Sequence, residues 1–229
     1  MKRKLSLLFI VLVIAITLTG CGKDYAKEFK KDYEGVNGTS NASGKIHRSV
    51  TIDEKNVFVE VEGEEIVDMV SNKETFYVYF GSRLCPWCRS VIEKVDEISR
   101  RRGIAKIYYV DIWDDEGKEI LRDKMSLDDN GEPFTEKSGT KAYGELLDIF
   151  KDYLSDYTLT NKDGEKVSTG EKRIFAPNFM YVKNGNPEKL ITGISELQKD
   201  SREPLTEEIL KDEEKAINDF FTEACDDGC

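Results

Sequence analysis

Apolar residues recur along the first half of the chain in segments that alternate between strand and helix patterns. Residues 75–80 are all aromatic or β-branched, which is typical of a strand buried on both faces. After Gly81, apolar residues follow helical spacing to about residue 101, where Gly103 supplies a stop signal. Similar patterns predict two strands and a helix at residues 57–61, 104–112 and 64–71, respectively. This order predicts an α/β sheet with a right-handed parallel crossover.

The middle of the chain departs from this alternation and predicts an insertion at residues 113–172. Two apolar stripes, at residues 121–127 and 143–154, predict two helices. A strand at residues 157–160 and a turn at residues 161–164 are expected to follow. These signals predict a small helical cap, which either covers the sheet or shapes a surface for a substrate.

The last third of the chain predicts a hairpin and a terminal helix. Pro177 precedes an apolar run, and it suits the start of a strand because proline cannot donate to the interior of a sheet ladder. Asn184 and Gly185 form a tight-turn signal that leads into a second strand. Apolar residues on one face predict a helix over residues 205–224. The expected fold is therefore α/β, with a mixed central sheet flanked by helices.

The cysteines of the sequence Cys85-Pro86-Trp87-Cys88 lie where the buried strand gives way to a helix. A helix N-terminus stabilises a thiolate, the reactive form of cysteine, through free N–H groups and partial positive charge. Cys85 is therefore the predicted exposed nucleophile, assisted by Arg83 and Arg89. Cys88 lies one turn further and can attack a mixed disulfide formed at Cys85. A zinc half-site or an inert disulfide is the alternative, but zinc needs more ligands and the single histidine is distant in the sequence.

The N-terminal residues have the pattern of an export signal. Three basic residues precede 14 mostly apolar residues, a stretch too short to span a bilayer comfortably and typical of a signal peptide. The four residues that end at Cys21 resemble a bacterial lipobox, which predicts a signal peptide at residues 1–20 and lipidation of Cys21. An ordinary cleaved signal or an uncleaved anchor is the alternative. The polar residues 21–50 predict a flexible tether, which leaves residues 51–229 for the domain.

Charge and cysteine count narrow the choice of partners. The chain has 34 basic and 45 acidic residues, and loss of the signal peptide removes three basic residues and no acidic one, which leaves a net charge of −14. Such an acidic chain is not expected to bind nucleic acid, or anionic lipid by charge alone. Apart from Cys21, the cysteines form two close pairs, Cys85/Cys88 and Cys225/Cys229, as suits an oxidising compartment. For Cys225 and Cys229, a local disulfide, an electron relay with the first pair, and metal-bound or free thiols are the alternatives.

The cysteine motif between a strand and a helix, the Ala176-Pro177 hairpin and the terminal helix together resemble the thioredoxin superfamily over residues 55–112 and 173–224. The resemblance implies a thioredoxin-like fold in which Pro177 is cis and lies beside the active-site cysteines. It also implies that Ala176 offers backbone hydrogen bonds to an extended substrate peptide, by strand addition. Trp87 would cover the face beside the sulfurs.

Some residues depart from the thioredoxin pattern. Tyr79 stands six residues before Cys85, where thioredoxins place a buried acid, so their route of proton removal from Cys88 is in question. The dipeptide between the cysteines is nearer to that of glutaredoxins, and a helical insertion before the proline strand resembles the layout of disulfide oxidases. Residues 79–85 are also similar to bacteriocin transport accessory proteins of Gram-positive bacteria.

Together these patterns predict a thiol–disulfide oxidoreductase, anchored by lipid at the extracytoplasmic face of the cell membrane, that acts on protein thiols and disulfides. Cys85 would attack, Cys88 would resolve, and Ala176 and Pro177 would hold the substrate. No cofactor is expected, because the cysteines carry the electrons, and a membrane redox partner is a further candidate. The alternative is a redox-silent binding module, such as an export accessory protein or chaperone. The direction of electron flow depends on the Cys85 pKa and the reduction potential.

Overall fold

A five-stranded mixed sheet forms the centre of the computed structural model, which describes residues 23–225. In spatial order its strands are β1 (Phe58–Glu60), β3 (Ile107–Asp111), β2 (Phe76–Gly81), β8 (Asn178–Lys183) and β9 (Asn186–Ile191). β1, β3 and β2 run parallel, whereas β8 is antiparallel to β2 and β9 is antiparallel to β8. The predicted α/β class with a mixed sheet is confirmed, and the predicted hairpin turn at Asn184 and Gly185 joins β8 to β9.

Helices cover both faces of this sheet. In the described part of the chain they are α1 (Tyr25–Gly35), α2 (Gly63–Ser71), α3 (Pro86–Arg101), α4 (Lys141–Phe150) and α5 (Glu207–Cys225). Side chains of α1, α3 and α5 share one core with the sheet, and side chains of α2 and α4 share another. The sequence predicted α2, α3, α4 and α5, with ends within a few residues of those observed, and it did not predict α1.

β2 is buried on both faces because its alternate side chains enter two different cores. Phe76, Val78 and Phe80 pack with α2 and α4. Tyr77 and Tyr79 instead enter the core that contains α1, α3 and α5. A central strand between two helical layers needs an apolar side chain at every position, since successive residues point to opposite faces. The strand predicted from its composition is therefore confirmed.

Residues 24–50 are folded, whereas the sequence predicted a flexible tether at residues 21–50. The side chain of Asp24 caps α1 by accepting a backbone N–H, and Phe29 and Tyr33 are buried in the core. The ring of Phe29 stacks on that of Phe58 in β1 at a centroid distance of 4.2 Å. Aromatic residues four positions apart share one face of a helix. The sequence did not predict this helix, because polar residues surround the two aromatic ones.

Polar contacts hold the loop after α1 against the rest of the domain. The Asn37 side chain donates to the carbonyl of Val50 at 2.8 Å and accepts from its N–H at 2.9 Å. The Glu34 carboxylate accepts from the N–H of Ile52 at 2.9 Å. The folded domain therefore begins at about residue 24 instead of residue 51, because the Gly/Ser/Asn run forms turns that these contacts fix in place.

The insertion at residues 113–172 contains one helix and two hairpins, where the sequence predicted a mainly helical cap. Its elements are β4 (Lys124–Leu127), β5 (Pro133–Lys137), α4, β6 (Ser155–Thr160) and β7 (Lys166–Arg173). The helix predicted at residues 121–127 is wrong, because β4 pairs with β5. Its two central apolar residues lie two positions apart, a spacing that suits a strand, and a turn-forming Asp-Asp-Asn-Gly sequence follows. The later helix and strand of the insertion are confirmed.

Several predicted features fall at the ends of the chain. The signal peptide at residues 1–20, Cys21 and Cys229 lie outside the described residues, and Cys225 is the last residue of α5. At the start of the described chain, the amino group of Lys23 pairs with Glu60, the last residue of β1, at 3.0 Å. No helix between residues 23 and 225 is long and apolar enough to cross a membrane.

Candidate functional site

The cysteine motif lies at the junction of β2 and α3, where the sequence predicted it. β2 ends at Gly81, and the chain turns so that the N–H of Cys85 donates to the carbonyl of Ser82 at 3.1 Å. Cys85 is the N-cap of α3, with an extended backbone, and Pro86 occupies the first helical turn, where its missing N–H would have no helical partner. The Cys85 sulfur consequently lies beside the free N–H groups that open the helix.

Both thiols of the motif are free and buried. Cys85 is 4% exposed and Cys88 is fully buried, so the prediction of an exposed nucleophile is wrong. The physical reason is the segment that lies over Cys85, where the thiol donates to the carbonyl of Ala176 at 3.5 Å. Trp87 is partly buried and packs against the same core cluster as the two sulfurs.

The two thiols differ in acidity. A hydrogen bond from the Cys88 thiol is the main cause that lowers the pKa of Cys85, and it is supported by the backbone N–H groups of Cys88 and Trp87 against the opposing effect of burial. Burial is the main cause that raises the pKa of Cys88 well above its usual value, and the neighbouring Cys85 raises it further. Cys85 therefore ionises first, and Cys88 keeps its proton.

The segment before β8 brings Ala176 and Pro177 next to Cys85, as the resemblance implied. β8 pairs with β2 so that Asn178 lies opposite Phe80, and the residues before Asn178 therefore reach the start of α3. The peptide bond between Ala176 and Pro177 is cis. The carbonyl of Pro177 accepts a hydrogen bond from the Asn178 side chain at 3.1 Å. The backbone that the resemblance assigns to substrate docking thus faces the first sulfur.

Arg83 and Arg89, which the sequence predicted to assist Cys85, both bind other groups, so their assistance stays a prediction. Arg83 forms an ion pair with the exposed Asp115. Arg89 is 1% exposed, and its guanidinium reaches backbone as well as side-chain acceptors. It donates to the carbonyls of Arg48 at 2.6 Å, Tyr33 at 2.9 Å and Arg83 at 3.0 Å, and to the side chain of Asn37. Arg89 therefore fastens α1 and the loop after it to α3.

A cation from the insertion, Arg122, contributes to the lowered pKa of Cys85. Arg122 is 5% exposed, and its guanidinium donates to the carbonyl of Ile174 at 3.0 Å and to Glu119 at 2.9 Å. Arg173 donates to the same Glu119 carboxylate at 3.2 Å. This buried ion-pair network holds the segment that covers Cys85, so the insertion supports the cysteine site.

Sequence reasoning did not find Arg122. It follows Ile120 and Leu121 in a segment that the apolar spacing assigned to a helix, and a buried arginine has no distinct sequence signal there. Its role depends on contacts with residues more than fifty positions later in the chain. Only the fold brings those residues together.

Two tyrosine hydroxyls form a buried pair behind Cys88. Tyr79 is fully buried beside the Cys88 thiol, and its hydroxyl oxygen lies 2.7 Å from that of Tyr33 in α1. Burial raises the pKa of both phenols well above the usual value, so both stay protonated at neutral pH. Tyr33 escaped the sequence analysis because its segment was assigned to the tether, although its spacing from Phe29 is that of a buried helix face.

Metal ligands are not grouped in the described residues, where no three or more His, Cys, Asp or Glu side chains are arranged to hold an ion. The histidine of the sequence, His47, is buried in the loop after α1. Since Cys229 lies outside the described chain, the predicted pairing of Cys225 with Cys229 stays a prediction.

The sequence matches no family model, and it matches no curated protein. The function of the site is therefore inferred from its chemistry. A dithiol in which one sulfur ionises readily while the other holds its proton can exchange with a disulfide in two successive steps. The same dithiol can also close into an internal disulfide.

Proposed function

We propose that this chain is a thiol–disulfide oxidoreductase of the thioredoxin superfamily, with Cys85 as the attacking thiol and Cys88 as the resolving thiol. The observation that carries the proposal is the placement of Cys85 at the N-cap of α3, with a lowered pKa, directly beside a buried Cys88 with a raised pKa. Exchange with a disulfide needs one thiolate that attacks first and a second thiol held in reserve.

The proposed reaction has two steps. The Cys85 thiolate attacks one sulfur of a substrate disulfide, which forms a mixed disulfide and releases the other substrate sulfur as a thiolate. Cys88 then loses its proton and attacks the Cys85 sulfur, which forms the Cys85–Cys88 disulfide and releases the second substrate sulfur. The substrate gains two electrons and the protein loses two, and the reverse sequence oxidises a dithiol substrate. The cysteines carry the electrons, so the proposal requires no cofactor.

The sheet order and the segment over Cys85 support the family assignment within this proposal. Three parallel strands are extended by the antiparallel β8 and β9, and the cysteines follow the central strand β2. Ala176 and Pro177 precede β8 and lie beside Cys85. A substrate peptide would replace the Cys85 thiol at the Ala176 carbonyl and pair with this backbone, so that affinity comes from main-chain hydrogen bonds. The neighbouring Phe175, 37% exposed, offers an apolar contact.

The proposed location is the extracytoplasmic face of the cell membrane, with lipid on Cys21. The support is the basic, apolar and lipobox-like order of the first 21 residues. Two acyl chains suffice for stable attachment, so the acidic domain needs no electrostatic contact with lipid. The proposed partners are protein thiols and disulfides and a membrane redox protein.

The test compares the full chain in detergent with its Cys85→Ser and Cys88→Ser variants. Each protein is reduced, mixed with a peptide disulfide, quenched with acid and measured by mass spectrometry. Wild type is expected to reduce the peptide and to lose two protons as its internal disulfide forms. Peptide mapping should find one peptide on Cys85 in Cys88→Ser and none on Cys88 in Cys85→Ser. Each variant replaces one sulfur atom with oxygen, so each is the control for the other.

Equal activity of wild type and Cys85→Ser would refute the oxidoreductase proposal. That result would favour the alternative of a redox-silent binding module. Peptide-binding measurements on Cys85→Ser, with and without a disulfide in the peptide, would then identify the ligand. The reduction potential, measured by equilibration with glutathione, gives the direction of electron flow.

A further inference from the structure

A group of polar side chains lies behind Cys88, on the face of the sheet that carries α1 and α3. The parallel pairing places Tyr79 of β2 opposite Tyr109 of β3, and Gly81 opposite Asp111. Residues two positions apart on a strand share a face, so these four positions face the same layer. Tyr79, Tyr109 and Cys88 are buried together in its core.

Gly81 leaves the space that the side chain of Tyr79 occupies. A Cβ atom at Gly81 would lie 2.1 Å from Cζ of Tyr79 and 2.2 Å from its hydroxyl oxygen, distances that packed atoms do not reach. The Tyr79 ring therefore extends across Gly81 toward the start of α3, where its hydroxyl meets the Cys88 thiol. The same hydroxyl is hydrogen-bonded to that of Tyr33 at 2.7 Å.

Ser82 links Cys88 to Asp111. Its backbone N–H lowers the pKa of the Cys88 thiol, and its side-chain hydroxyl lowers the pKa of the Asp111 carboxyl. That carboxylate also accepts from the Tyr109 hydroxyl at 2.7 Å and from the N–H of Trp113 at 3.0 Å. A single residue thus stands between the buried thiol and a carboxylate.

A small cavity of about 20 Å³, enough to hold a water molecule, has both Tyr33 and Asp111 in its lining. The ionisable groups around it come from every element packed there: Asp32 and Tyr33 of α1, Glu60 of β1, Arg83 of the loop after β2, and Tyr109 and Asp111 of β3. Arg83 lies 3.8 Å from the Asp111 carboxylate. Burial raises the pKa of Asp111 to about 6, although hydrogen bonds from its neighbours oppose this rise. The carboxyl is therefore ionised at pH 7, and its pKa lies close enough to pH 7 for it to accept a proton.

We propose that Asp111 accepts the proton of Cys88 during resolution, and that Tyr79 and Tyr33 are positioning residues that hold the hydrogen-bonded path between the thiol and the cavity. The inference rests on the proposed oxidoreductase function. It also locates a proton acceptor in a chain whose strand β2 has Tyr79 at the position where thioredoxins have a buried acid. The phenols themselves stay protonated, because burial raises their pKa values.

The proposed step is balanced in protons and electrons. The S–H bond of Cys88 breaks and its proton goes to the Asp111 carboxylate. The Cys88 sulfur forms a bond to the Cys85 sulfur while the bond between Cys85 and the substrate sulfur breaks. The substrate sulfur leaves with the electron pair of the broken bond and takes a proton from solvent. Asp111 then returns its proton to water through the cavity.

The experiment separates the two steps by stopped-flow kinetics on the full chain in detergent. Reduced protein is mixed with a peptide disulfide between pH 5 and pH 9, and the tryptophan fluorescence, which comes from Trp87 and Trp113, reports the changes at the site. The first phase depends on peptide concentration and reports attack by Cys85, whereas the second does not and reports resolution by Cys88. In wild type the second rate should rise as pH increases through about 6, because only ionised Asp111 accepts the proton.

Asp111→Asn should slow the second phase by at least about tenfold at pH 7, because a general base typically contributes that much or more. It should also remove the inflection near pH 6 and leave a rate that follows the ionisation of Cys88 itself at higher pH. Tyr33→Phe should slow the second phase and retain the inflection. Glu60→Gln is the matched control: it removes a carboxylate from the same cavity and should reproduce the wild-type profile.

An Asp111→Asn profile that coincides with those of wild type and Glu60→Gln would overturn the proposal. Where Asp111→Asn does not fold, as judged by near-UV circular dichroism, Tyr33→Phe decides, and an unchanged second phase in that variant overturns the path. Failure of the oxidoreductase function gives a different result, since the first phase would then either be absent from wild type or be present and unaffected by Cys85→Ser.

Discussion

Replacement of Arg89 by methionine removes a buried guanidinium that joins three separate parts of the chain. Its acceptors are the carbonyls of Tyr33, Arg48 and Arg83 and the side chain of Asn37. Methionine has a similar length and keeps the apolar contacts of the side-chain stem, so the main loss is the set of hydrogen bonds.

The size of the loss follows from those acceptors. A buried group left without its partner costs roughly 1–3 kcal/mol, and the Arg89→Met variant removes the guanidinium from three carbonyls, whereas the Asn37 oxygen still accepts from the N–H of Val50. The variant also removes the desolvation cost of the buried Arg89 charge, which offsets part of this loss. We therefore expect the free energy of unfolding to fall by about 3–5 kcal/mol. That is a large share of the free energy of unfolding of a typical domain, which is roughly 5–15 kcal/mol.

Urea unfolding of the reduced protein at pH 7, followed by circular dichroism, measures this change. The control is Arg101→Met on the same helix, where the arginine is about half exposed and forms surface ion pairs with Glu97 and Glu214. That variant should lose less than about 1 kcal/mol. A loss below about 1 kcal/mol in Arg89→Met would refute the conclusion that Arg89 fastens residues 24–50 to the domain.

Three further predictions concern pKa values and packing. Arg122→Gln should raise the pKa of Cys85, measured by the pH dependence of its alkylation, because a nearby positive charge is lost. Burial raises the folded-state pKa of Glu213 to about 7, so the carboxyl is protonated in the folded state below that pH and its buried charge destabilises the fold above it. Glu213→Gln should therefore raise Tm at pH 8 and change it little at pH 4. Gly81→Ala should lower the free energy of unfolding by roughly 1–3 kcal/mol in the same urea assay, since its methyl group would meet the ring of Tyr79.

Each of these predictions has an outcome that contradicts it. An alkylation pKa of Cys85 that does not change in Arg122→Gln would remove the insertion from the electrostatics of the site. Equal effects of Glu213→Gln on Tm at both pH values would mean that the carboxyl is not buried as described. A fully stable Gly81→Ala protein would show that Tyr79 does not extend across this position.

The central strands and the start of α3 could be predicted from the sequence, because they depend on local patterns. A strand buried on both faces requires apolar residues throughout, and the cysteine motif needs only a strand end, a turn and a helix start. The hairpin at Asn184 and Gly185 follows from turn chemistry in the same way. Each of these features is determined by residues that lie within about fifteen positions of one another.

Features that depend on distant contacts were not predictable. Composition assigned α1 to a tether because its two buried aromatic residues are surrounded by charged ones, and their partners lie in β1 and β3. The arginines near the cysteines invited an electrostatic role, yet Arg89 binds backbone that the sequence placed outside the domain. Arg122, in contrast, reaches the site only because the insertion folds back onto the segment before β8.

The pairing of Lys23 with Glu60 has a consequence for how a lipid-anchored form would meet its substrates. β1 runs parallel to β2 and β3, so Glu60 and the cysteine motif lie at the same edge of the sheet. Under the proposed lipidation, one glycine separates Cys21 from Lys23, a span of roughly 7 Å at full extension. The dithiol would then work within a shallow layer above the bilayer, open to chains emerging from the membrane and out of reach of proteins that diffuse far from it.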